Sequence, residues 1–195
     1  MQRAALSLLV ILSLALPCAA QPDTHSANID VRYSAQISNA GPGNCGCFSL
    51  QGGAADLFLN FIGIGANHGP GLGAAVDIGS EHTSSVNGAA YGLTLTTFTA
   101  GPRVVLRGHR LEPFGQALFG FAHGSNSSFP VGGSLAASAN AFALDIGGAM
   151  DYYLNNRLSI RLVQADYLRT SLPNLGSNWQ NNLRIAVGVT LHFGR

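Results

Sequence analysis

Lysine is absent from this 195-residue chain: its ten basic residues are all arginine, and charged residues make up only 10% of the sequence. An average soluble domain has roughly 25%. Such low charge excludes an intrinsically disordered chain, in which charge is high and apolar residues are few. The scarcity of Glu and Lys also excludes coiled coils and helix bundles. A formal net charge of +1 is far from the basic excess of nucleic-acid-binding proteins, so no nucleic-acid partner is expected.

Long apolar runs are missing after residue 20. No stretch of 18 apolar residues occurs there, so no transmembrane helix is expected. The first residues have the pattern of a secretory signal peptide, in which Arg3 precedes an apolar run over residues 4–16 and small residues at the cleavage site. We therefore predict a signal peptide at 1–20 and a single domain at 21–195, which is formally neutral because Arg3 is removed.

Apolar residues and glycine are abundant instead. Hydrophobic residues make up 47% of the chain, and 25 of its 195 residues are glycine, against roughly 7% in average proteins. The apolar residues alternate with polar or small ones, most clearly from Leu183 to Phe193. This period of two predicts β-strands with one apolar and one polar face.

Turn-rich stretches separate eight such segments. The predicted strands are about 29–37, 48–61, 72–78, 93–106, 113–122, 142–151, 158–167 and 183–193. Long and short connections alternate between them: the long ones are 39–47, 80–91, 123–140 and 169–180, and the short ones are 64–70, 107–110 and 154–157. An up-and-down barrel has this alternation, and in outer-membrane barrels the short turns and both termini face the periplasm. The three-residue spacing of Leu95 and Phe98 predicts a β-bulge in the fourth strand.

Alternation alone leaves open which face of the barrel is outside. A soluble lipocalin-like or avidin-like barrel has its apolar face inside and a polar outside, on which Lys and Glu are common. The strand charges here are isolated Arg and Asp, which fit a lumen shielded from lipid, because an arginine on the lipid face at mid-membrane costs roughly 2–4 kcal/mol. We therefore predict an all-β, eight-stranded antiparallel up-and-down transmembrane β-barrel. Its packed polar lumen would have no open pore and would pair four arginines with four aspartates: Arg32, Arg103, Arg161 and Arg184 with Asp56, Asp77, Asp145 and Asp151.

Several motifs point to a known family. They are Gly101-Pro102-Arg103, the segment from Pro113 to His123, the segment from Arg161 to Tyr167, and the final strand ending in Phe193. With the signal peptide and the eight strands, they resemble the small OmpA-like, or opacity-like, outer-membrane β-barrel superfamily. The resemblance implies a location in the cell outer membrane, contact with outer-membrane lipid, and contact of Phe193 with the barrel-assembly machinery during biogenesis.

The element His123-Gly124-Ser125-Asn126 resembles the His-x-Ser-Asn element of outer-membrane lipid A deacylases. Residues two apart on a strand point the same way, so His123 and Ser125 would lie together. Those enzymes orient the histidine with a downstream glutamate, and no acid occurs between residues 126 and 144. We therefore interpret the element as part of a loop, and a lipid A-modifying acyl hydrolase is the alternative function.

Two cysteines, Cys45 and Cys47, remain after the signal peptide, outside the reducing cytosol. They predict a strained local disulfide, with unreactive thiols or a metal or redox role as alternatives. No catalytic, cofactor-binding or metal-binding residue is predicted. We expect a non-enzymatic outer-membrane barrel with a structural, adhesive or surface-recognition role through four long extracellular loops, for which the sequence identifies no ligand.

Overall fold

The predicted signal peptide at 1–20 lies outside the part of the chain that the computed structural model describes, which is residues 27–39, 47–63, 69–86, 91–174 and 178–194. Among these residues no helix has the length and apolarity to cross a membrane. They form eight strands: β1 (Ala27–Ser38), β2 (Phe48–Gly63), β3 (Pro70–Thr83), β4 (Leu93–Leu106), β5 (Leu111–Val131), β6 (Ser134–Asn155), β7 (Leu158–Thr170) and β8 (Gln180–Phe193).

The strands form one closed antiparallel barrel in which each strand pairs with its neighbours along the chain. β1 closes the ring, since Val31 lies opposite Ala55 of β2 on one side and Val189 of β8 on the other. The predicted eight-stranded up-and-down barrel is therefore confirmed.

The two ends of the barrel differ. The connections 107–110 and 156–157 are short and lie at the same end as the paired residues Ala27 and Phe193. We call this the short-turn end, and the opposite end the mouth. Two of the three predicted short connections therefore lie at one end of the barrel, as expected, and most of the third, 64–70, falls outside the described residues.

The predicted bulge in β4 is wrong. β4 pairs with β3 in an unbroken register from Leu93 to Leu106. Leu95 is buried in the barrel and Phe98 is exposed outside it, as two residues three apart on a regular strand must be. The apolar side chains change sides along this strand because Leu93 and Leu95 belong to a buried cluster at the mouth.

The predicted long connection 123–140 is instead a β-hairpin. β5 continues to Val131, and β6 begins at Ser134 after a turn at Gly132 and Gly133, where φ is 60° and 84°. Left-handed backbone of this kind favours glycine. β5 and β6 have 21 and 22 residues, whereas β1 has 12 and β2 has 16, so the β5–β6 hairpin extends beyond the mouth. The Ser- and Asn-rich composition of this segment is typical of a loop, and it gave no indication that the segment forms two paired strands.

The outside of the barrel is apolar. From Leu183 to Phe193 of β8 the exposed side chains are apolar, and the polar side chains between them, such as Arg184 and Thr190, are buried. At a rise of about 3.3 Å per residue and the usual tilt, the segment 183–193 spans about 25 Å, the height of a lipid-facing belt. A soluble barrel has the opposite arrangement, so the soluble lipocalin-like alternative is excluded.

Candidate functional site

The candidate site is the barrel interior, where the strand charges meet. The four predicted arginines are buried there and each forms ion pairs with at least one of the predicted aspartates: Arg32, Arg103, Arg161 and Arg184. Strand alternation points all four inward. The predicted pairing of arginines and aspartates in the lumen is therefore confirmed.

Asp56 is the centre of a first group of ion pairs. Its Oδ2 accepts hydrogen bonds from Arg32 Nη1 at 2.9 Å, Arg103 Nη2 at 3.0 Å and Arg161 Nη1 at 3.0 Å. Arg161 also donates to both oxygens of Asp151, from Nε at 2.9 Å and from Nη2 at 3.1 Å. This forked contact is the one for which a planar guanidinium is suited.

Arg184 is the centre of a second group, nearer the mouth. Its side chain is fully buried, and Nη2 contacts Asp145 and lies 3.4 Å from both Asp77 and Asp166. Its Nη1 lies 3.8 Å from Glu81. One guanidinium therefore faces four carboxylates from three different strands.

Three carboxylates of this network were not predicted, namely Asp30, Glu81 and Asp166. Asp30 Oδ1 lies 2.6 Å from Arg32 Nη1 and 3.1 Å from Arg161 Nη1. Asp30 is two residues before Arg32, and Asp166 lies opposite Arg184 on the adjacent strand. The period of two therefore contained the signal that these side chains share the inner face.

The lumen is not uniformly polar, contrary to the prediction. Towards the short-turn end, Phe58 and Phe114 form part of a buried apolar cluster with Ala75, Val105 and Leu118. The guanidinium carbons of Arg103 and Arg161 lie 4.2 and 4.7 Å from the centre of the Phe114 ring. These cation–π contacts join the apolar cluster to the ion pairs, so the network is packed between apolar groups rather than in water.

Glycines in the wall make room for the charged side chains. A Cβ atom at Gly188 would lie 2.6 Å from the Cβ atom of Arg32, and one at Gly147 would overlap the carboxylate of Asp166. Side chains at these two positions would displace members of the network. Part of the high glycine content therefore serves the interior.

We expect the purified barrel to show no large, stable conductance in planar-bilayer recordings. Ion pairs fill the centre of the lumen, buried apolar clusters lie towards both ends, and eight strands enclose an interior only wide enough for side chains. A general porin reconstituted in the same way provides the positive control. A large, long-lived open level from this protein would contradict a closed lumen.

In the described part of the chain, no carboxylate is hydrogen-bonded to His123. His123 and Ser125 both lie on the outward side of β5, where His123 Nδ1 is 2.7 Å from Asn140 Oδ1. Within the described part of the chain, no hydrogen bond joins Ser125 to His123. An amide orients the imidazole, but it lacks the negative charge with which a carboxylate stabilises the imidazolium.

The cysteine pair falls partly outside the described residues. Cys47 is exposed directly before β2, whereas Cys45 is not among the residues described. The local disulfide therefore stays a prediction.

The fold and its interior together define a class of protein. An apolar outside of about 25 Å, a closed ring of antiparallel strands and an ion-paired interior are the features of a small transmembrane β-barrel.

Comparison with known proteins agrees with this class. No family model and no curated protein matches the sequence. Among solved structures, the chain is similar to Ail, the attachment invasion locus protein of Yersinia pestis, with 15% identity and a TM-score of 0.57 over 87% of this chain and 99% of that chain. It is also similar to Neisserial surface protein A, with 13% identity and a TM-score of 0.53 over 87% and 97%. Both are eight-stranded outer-membrane barrels, so the fold expected from the OmpA-like or opacity-like resemblance is confirmed.

Proposed function

We propose that this protein is a non-enzymatic outer-membrane barrel that anchors a recognition surface at its mouth. The observation that carries the proposal is the contrast between a filled lumen and a β5–β6 hairpin whose two strands are the longest of the eight. A filled lumen leaves little role for transport. A long paired hairpin holds side chains in fixed positions for a partner, because each of its strands is braced by the other.

The four segments that connect the strands at the mouth contain no charged residue. Residues 39–47, 84–92, 124–140 and 171–179 contain no Arg, Lys, Asp or Glu and consist mostly of Ser, Asn, Gly and apolar residues. Such a surface suits a partner bound by neutral hydrogen bonds and apolar contact. Ail has been solved with the heparin analogue sucrose octasulfate, which is a polyanion. The four segments here offer no basic side chain to pair with sulfate groups, so we infer a different class of partner.

The proposed orientation puts the mouth outside the cell and the short-turn end, with both termini, in the periplasm. The exposed apolar side chains would contact outer-membrane lipid. Phe193, an exposed aromatic residue at the end of β8, would be bound by the barrel-assembly machinery during biogenesis.

We expect a short epitope inserted between Gly132 and Gly133 to be labelled by antibody on intact cells. This turn lies at the tip of the β5–β6 hairpin, and nothing lies within 4 Å of an added Cβ atom at either glycine, so the barrel should tolerate the insertion. Flow cytometry measures the labelling, and a heat-modifiable band in the outer-membrane fraction shows that the barrel has folded.

The matched control places the same epitope between Asn156 and Arg157, in the short turn between β6 and β7. This epitope should be labelled only after the outer membrane is permeabilised. Labelling of the second epitope on intact cells, with the first hidden, would overturn the proposed orientation. Loss of both proteins to the soluble periplasmic fraction would overturn the membrane location.

The alternative function, an acyl hydrolase acting on lipid A, has less support. Its residues would be Ser125 and His123, and the side chain that contacts His123 is the neutral amide of Asn140. We therefore propose an interfacial rather than a catalytic role for His123.

A further inference from the structure

A half-open cavity of about 220 Å³ lies at the mouth, between the inner wall of the barrel and the β5–β6 hairpin. Its walls come from several strands and are mostly apolar, with Phe48 and Leu50 from β2, Leu93 and Leu95 from β4, and Phe129 from β5. The described residues that line it include no charged side chain. The cavity is separate from the ion network, which lies deeper in the barrel.

One side of the cavity is closed by the segment that follows β7. Leu172 is buried against the apolar cluster, and Gln180 of β8 holds it there with two hydrogen bonds of 2.8 Å, one to its backbone N–H and one to its carbonyl. Thr170 donates to the same Gln180 oxygen at 3.0 Å. Hydrogen bonds to Gln180 therefore fix this part of the apolar wall in place.

Gln36 of β1 lines the cavity and is fully buried, yet neither its amide nitrogen nor its amide oxygen has a hydrogen-bond partner among the described residues. Buried amides in proteins are nearly always paired. Asn182, which also lines the cavity, donates to the carbonyl of Leu168 at 2.9 Å. Gln36 therefore holds a donor and an acceptor without partners in the described part of the chain, buried in the wall of this apolar space.

We propose that this cavity binds one small, uncharged molecule with an apolar body and a single amide, carbonyl or hydroxyl group that pairs with Gln36. A dry cavity of about 150 Å³ lined by apolar side chains is large enough to bind benzene. The space here is larger and suits a ring or short chain with one polar group. A primary amide fits best, since it donates to and accepts from Gln36 at once. The inference rests on the proposed function only in that the mouth faces the cell exterior.

The test uses the full mature chain in lipid nanodiscs and benzamide as the probe. Titration is followed by NMR through the methyl signals of Leu50 and Leu95, which report the cavity and not partitioning into lipid. We expect a saturable shift. Gln36→Leu should weaken benzamide binding by about tenfold, the effect of one or two lost hydrogen bonds. The matched control is Gln51→Leu, the same change on the outside of the barrel, which should leave the affinity unchanged.

A second variant fills the space. Leu93→Trp should abolish the saturable shift, whereas Val104→Trp, on the lipid-facing side of the same strand, should not. Heat-modifiable mobility checks that each variant is folded, and Leu50→Phe replaces Leu93→Trp if the latter does not fold. A linear change of the methyl shifts with benzamide concentration, without saturation, would mean that the cavity holds only water and would overturn the proposal. Equal binding of benzamide by Leu93→Trp would also overturn it. Because binding to the purified barrel does not depend on cell topology, this result is independent of the epitope experiment.

Discussion

Replacing Arg184 with methionine is expected to lower the free energy of unfolding by about 3–5 kcal/mol, the cost of removing one partner from a buried ion pair. Its guanidinium contacts Asp77, Asp145 and Asp166 with no exposure to solvent. Without it, these carboxylates would face one another in an interior that water does not reach. Urea unfolding in lipid vesicles measures the effect, with the fluorescence of Trp179, the single tryptophan, as the signal.

The buried network contains more carboxylates than guanidinium groups, so the loss of an arginine should cost more than the loss of an acid. Four guanidiniums in the network face seven carboxylates, so arginine is the scarce partner: Arg32, Arg103, Arg161 and Arg184 against Asp30, Asp56, Asp77, Glu81, Asp145, Asp151 and Asp166. Asp145→Asn removes one member of the surplus and should therefore cost less than Arg184→Met.

The control is Arg157→Met in the exposed turn between β6 and β7, which should change the free energy of unfolding by no more than about 0.5 kcal/mol. Equal midpoints for Arg184→Met and Arg157→Met would mean that the interior is hydrated and that the ion pairs contribute little.

The barrel and its charged interior were accessible from the sequence because both depend on a period of two. Once Val187 and Val189 are assigned to lipid, Arg184 must lie on the opposite face. The absence of lysine then indicates that the apolar face is outside, because the polar outside of a soluble barrel usually carries lysine. Asp30 and Asp166 follow from the same rule, since Asp30 is two residues before Arg32 and Asp166 lies opposite Arg184 on the adjacent strand.

The features that were not predicted depend on how far along the barrel axis a residue lies. The alternation of apolar and polar residues shows which side of the wall a residue faces but not its position along this axis. Leu95 and Phe114 are apolar residues on the inner face, and only the closed fold shows that they lie on either side of the charges. The mouth cavity was also inaccessible, because it requires Leu172, in a connection, to be clamped by Gln180. The serine and asparagine residues of the β5–β6 hairpin are typical of loops, but in the structure they form strands because the two arms of the hairpin pair with each other.

Replacing Val187 with arginine is expected to lower the free energy of unfolding in bilayers by about 2–4 kcal/mol, since this is the cost of an arginine on the lipid face at mid-membrane. Val187 lies near the middle of the apolar segment of β8, is 50% exposed, and has Tyr33 as its neighbour across the barrel closure. Folding into vesicles and urea unfolding, followed as above, measure the loss.

The same change at Leu135 is the matched control. Leu135 is 73% exposed on the β5–β6 hairpin, beyond the apolar belt, and Leu135→Arg should cost no more than about 0–1 kcal/mol because the cost falls towards the interface. The pair of variants separates lipid from water as the surroundings of two exposed aliphatic residues. A cost at Leu135 as large as that at Val187 would place the hairpin in the membrane and contradict a projecting recognition surface. A negligible cost at both would mean that the apolar outside is not in contact with lipid.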